Sequence, residues 1–198
     1  MSRTIVISSG CGVLKYEAGN IIDSFDEVVR CNEGFHKNCE KYHLFTGTKT
    51  TKLALNPRCL LDKQVQHAIT QTHGYEGVRE IIAVNFNIDR PMYPELDKMS
   101  LYPGKTLIET DWKTSRQIHL GTGFPRSCCG VIAAMHEYVT TGEVWLYGFL
   151  PVDPLTHFYD DHEFCLTAPG ISNRKWIEVE NTFLRSLPNV HFLEDELQ

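Results

Sequence analysis

The chain has 198 residues, enough for one domain with a substantial core. Its hydrophobic content of 42%, charged content of 22% and net charge of −6 fit a soluble globular protein and disfavour nucleic acid as the main partner. No apolar stretch approaches the ~20 residues of a membrane span. The opening MSRTIVISSG lacks the apolar length of a secretory signal. The seven cysteines are odd in number and contain no CxxC pair, so reduced thiols and a cytoplasmic location are expected.

In chain order, Thr4 to Ile7 is a β-branched run that ends in the small-residue turn Ser8-Ser9-Gly10-Cys11-Gly12. Glu27 to Arg30 reads as a second strand, followed by Cys31 and Asn32. His43 to Leu55 has strand character, broken at Gly47 and closed by Pro57, and Leu60 to Thr72 has helical spacing. Glu80 to Phe86 is a continuous apolar strand of the kind buried on both faces. Residues 87–122 read as a long irregular segment with one helix, Thr106 to Ile118. Ser127 to Tyr138 is a helix and Val144 to Tyr147 a strand that stops at Gly148. Pro151 to Asn173 reads as a loop, Lys175 to Leu187 as a helix and Val190 to Leu193 as a last strand. Strands alternating with helices predict a single α/β domain over residues 1–198, with a mainly parallel sheet covered on both faces.

Two units carry the chemistry. In GFPRSCCGVIAAMHEYVTTGEVWLYGFL, the small residues Ser127, Cys128, Cys129 and Gly130 open a helix. Free backbone N–H groups and the positive end of the helix dipole suit a phosphate there. Gly148 and Phe149 follow a strand, where open α/β sheets bind ligands. The first turn, with Gly10, Cys11 and Gly12, has the small residues that let backbone approach a nucleotide. It lacks a full GxGxxG, and Glu33 is the nearest acid in the dinucleotide position, so a dinucleotide is the weaker reading.

The run GVLKYEAGNIIDSFDEVVRCNEG resembles the large motif of the eukaryotic-type sialyltransferases, through Gly12, Leu14, Ile22, Asp23, Asp26, Val28, Arg30 and Asn32. Gly47-Thr48-Lys49-Thr50-Thr51 resembles the end of that motif. Pro125 to Phe149 resembles the small motif, and His157-Phe158-Tyr159-Asp160 the short third one. The motifs occur in the family's order. The resemblance implies a Rossmann-like, GT-A-variant fold and inverting, metal-independent transfer of an acidic sugar from a CMP-sugar donor to a glycan acceptor. The sugar is sialic acid or, alternatively, Kdo, and no cofactor or metal is implied. It further implies that Asn32 binds the nucleotide, that the Cys128–Gly130 turn holds phosphate or the donor carboxylate, and that His157 or Tyr159 neutralises the departing phosphate.

The chain departs from the pattern in four places. Gly10 replaces an Asn, Cys128-Cys129 replace Ser-Thr, and Thr4 stands where a disulfide cysteine is expected. Lys175 occupies the position of the general-base His, five residues before Glu180. Distantly related bacterial sialyltransferases take their base from a loop, which makes His162 the first candidate and His157 the second. A metal held by His157, His162, Asp160, Asp161 and Glu163 is the lesser reading of the same acid-rich loop. Loss of the base would instead leave a non-catalytic CMP-sugar or glycan-binding relative. Arg30 is either a ligand contact or, preferably, a structural partner of Asp23 or Asp26. Asp23 and Asp26 are themselves turn and cap residues.

Overall fold

The computed structural model describes residues 2–38, 40–94, 96, 101–124, 126–150, 157–159 and 173–198. Seven strands form one sheet: β1 (Thr4–Ile7), β2 (Glu27–Cys31), β3 (Lys52–Leu55), β4 (Glu80–Ala83), β5 (Thr106–Glu109), β6 (Val144–Tyr147) and β7 (Val190–Phe192). Their order is β5-β4-β3-β2-β1-β6-β7, and every pairing is parallel. The order reverses beside β1. The chain first builds outward from β1 to β5, then returns to lay β6 and β7 on the other edge. Crevices open beyond the carboxyl ends of the strands at such a switch point.

The period-2 alternation of a strand explains the layering. Val6, Val29, Ala54, Ile82 and Leu146 all pack into one apolar cluster with helix α6 (Cys129–Thr141). Their neighbours Ile5, Ile7, Val28 and Tyr147 point to another cluster with Ile22 of helix α1 (Gly19–Asp23), Phe25 and Leu193. Leu53, Leu55, Ile81 and Ala83 join Leu60, Val65 and Ile69 of α3 (Pro57–Leu61) and α4 (Lys63–Thr70). With both faces covered, parallel strands must be apolar on both sides, as β1 is at Ile5, Val6 and Ile7. Helix α6 is buried over most of its surface, which is why it carries Val131, Ile132, Ala133, Ala134 and Met135 in succession.

Several boundaries differ from the sequence expectation. Only Lys52–Leu55 of the His43–Leu55 run is strand, because Glu40–Thr46 forms helix α2. Thr46, β-branched and strand-like in composition, instead bonds back to the Tyr42 carbonyl at 2.9 Å and to Asn38 at 2.7 Å. The helix expected over Leu60–Thr72 is two helices. Asp62 ends α3 in an extended conformation, and its side chain caps α4 through the amides of Gln64 and Val65. The helix expected over Thr106–Ile118 is strand β5 followed by α5 (Trp112–Thr122), separated by the N-cap Asp111. Strand β4 stops at Ala83, short of the expected Phe86. Helix α6 starts later and runs longer than expected, to a left-handed Gly142. Helix α7 spans Asn173–Arg185. The expected loop Pro151–Asn173 lies largely outside the described residues.

Arg30, fully enclosed, takes the structural role, but carbonyls rather than carboxylates surround it. Its guanidinium donates to Thr50 Oγ1 and to the carbonyls of Thr46, Gly47 and Lys49 at 2.7–3.2 Å. Burial lowers its pKa to about 10, against the opposing charge of Asp23. Asp23 itself accepts from the amides of Thr48 and Lys49, and Asp26 from that of Arg3. The Gly47–Thr51 stretch is thus the turn that wraps Arg30 and enters β3, rather than strand.

Candidate donor cleft

A cleft of about 830 Å³ opens over the carboxyl ends of the strands, at the large end of the ~300–1,000 Å³ typical of small-molecule sites. Its walls come from each unit in turn: Ser8 and Ser9 after β1, Cys31 and Asn32 at the end of β2, Asn56 after β3, and Phe149 and Leu150 after β6. The start of α6 supplies Ser127, Cys128, Cys129 and Gly130, and α7 supplies Trp176, Ile177, Glu180 and Asn181. His157 also borders the cleft.

Asn32 sits at φ 50°, a left-handed backbone that Asn tolerates better than most residues. Its Oδ1 accepts from the Asn56 amide at 2.9 Å. The carboxamide is thereby oriented, with its NH₂ as the remaining donor. Ser9 donates to the Cys31 carbonyl at 2.9 Å and ties the ends of β1 and β2 together.

The His157–Tyr159 segment is strapped to the first turn. Gly10 and His157 form an antiparallel bridge, the Phe158 amide donates to the Ser9 carbonyl at 3.0 Å, and the Cys11 thiol donates to the His157 carbonyl at 3.4 Å. Phe158 is buried and meets Tyr42 edge-on, which anchors the segment, while the rings of His157 and Tyr159 stack 5.1 Å apart. His157 therefore reaches the same cleft as Asn32 and the α6 start; Tyr159 lies outside the cleft lining, behind His157. His162 falls outside the described residues.

Gly10, Cys11, Gly12 and Gly148 also lie outside the lining. Gly12 and Gly148 serve close packing between the first turn and the end of β6. A Cβ on Gly12 would lie 3.0 Å from the Leu150 carbonyl oxygen, and one on Gly148, at φ 78°, would collide with Val13 at 2.2 Å. The Gly148 amide is also held by buried Glu194 at 2.5 Å. Gly148→Ala is expected to cost at least ~1–2 kcal/mol for the left-handed backbone alone, and more with the Val13 clash. Urea unfolding midpoints check this.

At the α6 start, Cys128 is the extended N-cap and offers no side-chain cap. The cap comes from elsewhere in the chain: Glu180 of α7 accepts from the Cys128 amide at 2.9 Å. The Cys129 and Gly130 amides have no hydrogen-bond partner among the described residues, leaving two donors and the helix dipole for an anion. Burial pushes the Glu180 carboxyl above its ordinary 4.5, opposed by its bonds to Cys128. A carboxyl raised on folding contributes stability that is full below 4.5 and is lost as pH rises through the raised value. Glu180→Gln keeps an acceptor for the Cys128 amide without the charge. The variant's stability relative to wild type is expected to grow between about pH 5 and 8. Glu137 and Glu194, also raised by burial, slope both proteins' stability alike and cancel from this difference. Denaturant midpoints across that range test it. The thiols of Cys128 and Cys129 are themselves pushed up, the first chiefly by burial and the second by its contact with Cys31 together with burial, so both stand as neutral wall groups.

Among the described residues, one cluster has metal-ligand geometry: Glu80, His136 and Glu137. It sits at the amino ends of the strands, away from the cleft, where the Lys52 ammonium already bonds Glu137 at 2.9 Å and lies 3.5 Å from Glu80.

Residues 1–96 match the family model described as glycosyltransferase family 29 (sialyltransferase). The chain is sialyltransferase-like. No curated protein matches it significantly in sequence. Among solved structures, a mammalian sialyltransferase in complex with Gal-beta-1-3GalNAc-ortho-nitrophenol superposes with a TM-score of 0.54 and 17% identity, over 96% of this chain and 68% of that one. The sialyltransferase CST-II in complex with trisaccharide acceptor and CMP gives 0.61 and 14%, over 96% and 81%. The Campylobacter jejuni sialyltransferase CstII in complex with a substrate analogue, cytidine-5'-monophosphate, gives 0.56 and 14%, over 98% and 80%. At these identities the likeness is one of fold, and it bears out the parallel α/β sheet expected of this sialyltransferase-like chain.

The remaining lining of the cleft was not legible in the sequence. Asn56 offered a faint signal, as a cap residue before Pro57 at a strand end. Arg58 and Trp176 lie in no motif, and only the fold brings them to the crevice; Arg126 stands within the small-motif span, next to Ser127, but was not singled out.

Proposed function

We propose that this chain transfers an acidic sugar, sialic acid or Kdo, from a CMP-sugar to a glycan hydroxyl with inversion and without a metal. One observation supports this reading above the others. The Cys129 and Gly130 amides, the oriented Asn32 carboxamide and His157 converge on one cleft at the β1/β6 switch point. In this reading the two amides take the α-phosphate, Asn32 donates to the nucleotide, and His157 offsets charge on the departing CMP. The acceptor hydroxyl loses its proton to a loop base, for which His162 is the candidate.

Titration calorimetry with CMP, UMP and GMP tests the donor class. CMP binding at least tenfold tighter than the other two is expected, and preference for another nucleotide would sink the reading. Hydrolysis of CMP-sialic acid, in buffer with and without EDTA, tests the chemistry. Turnover insensitive to the chelator is expected.

A second reading, a CMP-sugar or glycan-binding relative without catalysis, draws on Lys175. It is exposed on α7, while Glu180 five residues later is buried at the cleft. CMP binding with no turnover at any pH between about 6 and 9 would favour it.

A further inference from the structure

We propose that the donor's anionic group binds together with one proton, which Glu180 takes up. This rests on the donor reading above. Glu180 is 1% exposed, lines the cleft and accepts from the Cys128 amide at 2.9 Å. The next two amides, of Cys129 and Gly130, are the ones open to a ligand. A buried carboxyl therefore already sits at the helix end that an incoming phosphate or carboxylate must share. The same corner holds an unspent donor. Trp176, one turn before Glu180 on α7 and 2% exposed, lines the cleft, and its buried indole N–H has no hydrogen-bond partner among the described residues. It faces the Glu180 carboxyl without a formed bond, and an anion held between α6 and α7 gives it an acceptor.

The groups that face Glu180 leave its charge weakly held. Ser127 and Cys128 approach it from the α6 lead-in and Trp176 from α7, while the Asn181 carboxamide is committed to the Phe149 carbonyl at 2.7 Å. Elsewhere around the cleft stand the Cys31 thiol at the end of β2, His157 on its strap and the exposed Arg126. Glu180 makes no ion pair among the described residues. Burial already favours the neutral acid, and a second negative charge at the same helix end favours it further. A carboxylate only accepts, whereas the acid also donates. The proton, drawn from solvent, thus turns a repelling neighbour into a hydrogen-bond donor for a ligand oxygen, and no covalent bond of the donor changes. Because the ligand selects the protonated form, affinity falls as pH rises through the interval between the Glu180 pKa of the free protein and that of the complex.

The probe is the methyl ester of CMP, a phosphodiester whose single charge is fixed near neutral pH. Calorimetric titrations between about pH 6 and 8.5, in buffers of different ionisation heat, count the protons taken up per ligand bound. Wild type is expected to take up at least about half a proton at some pH in that range and to lose roughly tenfold or more in affinity across it. Glu180→Gln keeps an acceptor for the Cys128 amide without a titrating group. It is expected to take up almost no proton and to hold its affinity within about twofold. His157→Gln is expected to keep the wild-type uptake, which separates Glu180 from the imidazole. A carboxyl that merely caps α6 changes stability or affinity when replaced, but not the proton count. Binding by wild type without uptake overturns the proposal and leaves the donor reading standing. Uptake that survives in Glu180→Gln, or vanishes in His157→Gln, overturns it too. Should Glu180→Gln fail to fold, the carbon-13 shift of the Glu180 carboxyl in wild type, read with and without the probe, decides. Movement from the ionised to the neutral position supports the proposal, and no movement overturns it. A probe that binds at no pH in the range sinks the donor reading and this proposal together.

Discussion

Lys52→Met is expected to destabilise the fold by about 3–5 kcal/mol, the cost of leaving a buried charge without its partner. Glu137 lies in the middle of α6 with its side chain wholly enclosed, and Lys52 Nζ bonds both of its oxygens at 2.9 and 3.0 Å. Burial raises the Glu137 carboxyl and Lys52 opposes this. In turn, burial would depress the Lys52 ammonium, but Glu137 and Glu80 outweigh it and its pKa rises. The ammonium is therefore held charged by the pair. In a chain of this size, each kcal/mol shifts Tm by about 2–4 °C, so a fall of roughly 6–20 °C is expected in a thermal scan. The double variant Lys52→Met/Glu137→Leu should recover most of the loss, because an apolar pair of similar volume replaces an ion pair at little net cost. A double variant no more stable than Lys52→Met would show that the pair is not the source of the effect.

His157→Ala is expected to lower kcat for CMP-sugar turnover by about 10²–10⁴-fold, the usual range for a positioned proton-transfer or charge-neutralising group. The Kd for CMP should change much less, since the phosphate amides and Asn32 remain. The fold should tolerate the change: the strap is held by backbone bonds to Gly10 and Ser9 and by buried Phe158, none of which needs the imidazole. Single-turnover rates alongside calorimetry separate the two effects. Equal losses in kcat and CMP affinity would make His157 a binding residue, and an unchanged rate would remove it from the chemistry. His162→Ala, assayed beside it, tests the loop base by the same measurements.

Most of the sheet was legible in the sequence, for a local reason. Thr4–Ile7 and Val144–Tyr147 are short β-branched and aromatic runs stopped by small residues, and both are strands over those spans. The α6 region declared itself by its apolar period, although its end at Gly142 was not read from the sequence. Misreadings arose where local preference was ambiguous or overridden. Threonines made the segment before β3 look extended, yet Thr46 closes a helix and Thr50 and Thr51 tie down Arg30 and Val28. Strand β5 spans four residues at the sheet edge, with Leu107 and Ile108 only half-buried, so its signal merged with the helix that follows.

The sequence by itself located six of the seven strands, all but β5, and indicated that the sheet is parallel and covered on both faces and that the α6 start and Asn32 belong to one candidate site. Those features follow from side-chain periods of 2 and 3.6 and from motif order, which are properties of neighbouring residues. Tertiary structure alone decided the partners. Glu180 reaches the Cys128 amide across 52 residues, Lys52 meets Glu137 across 85, and His157 joins the first turn at Cys11 across 146. Strand order alone brings Arg58 to the same crevice as Ser8, and the close approach of two backbones makes Gly12 and Gly148 packing residues behind the site. Such pairings depend on how the sheet is laid out in space, because a charge or a glycine carries no local record of what it will face.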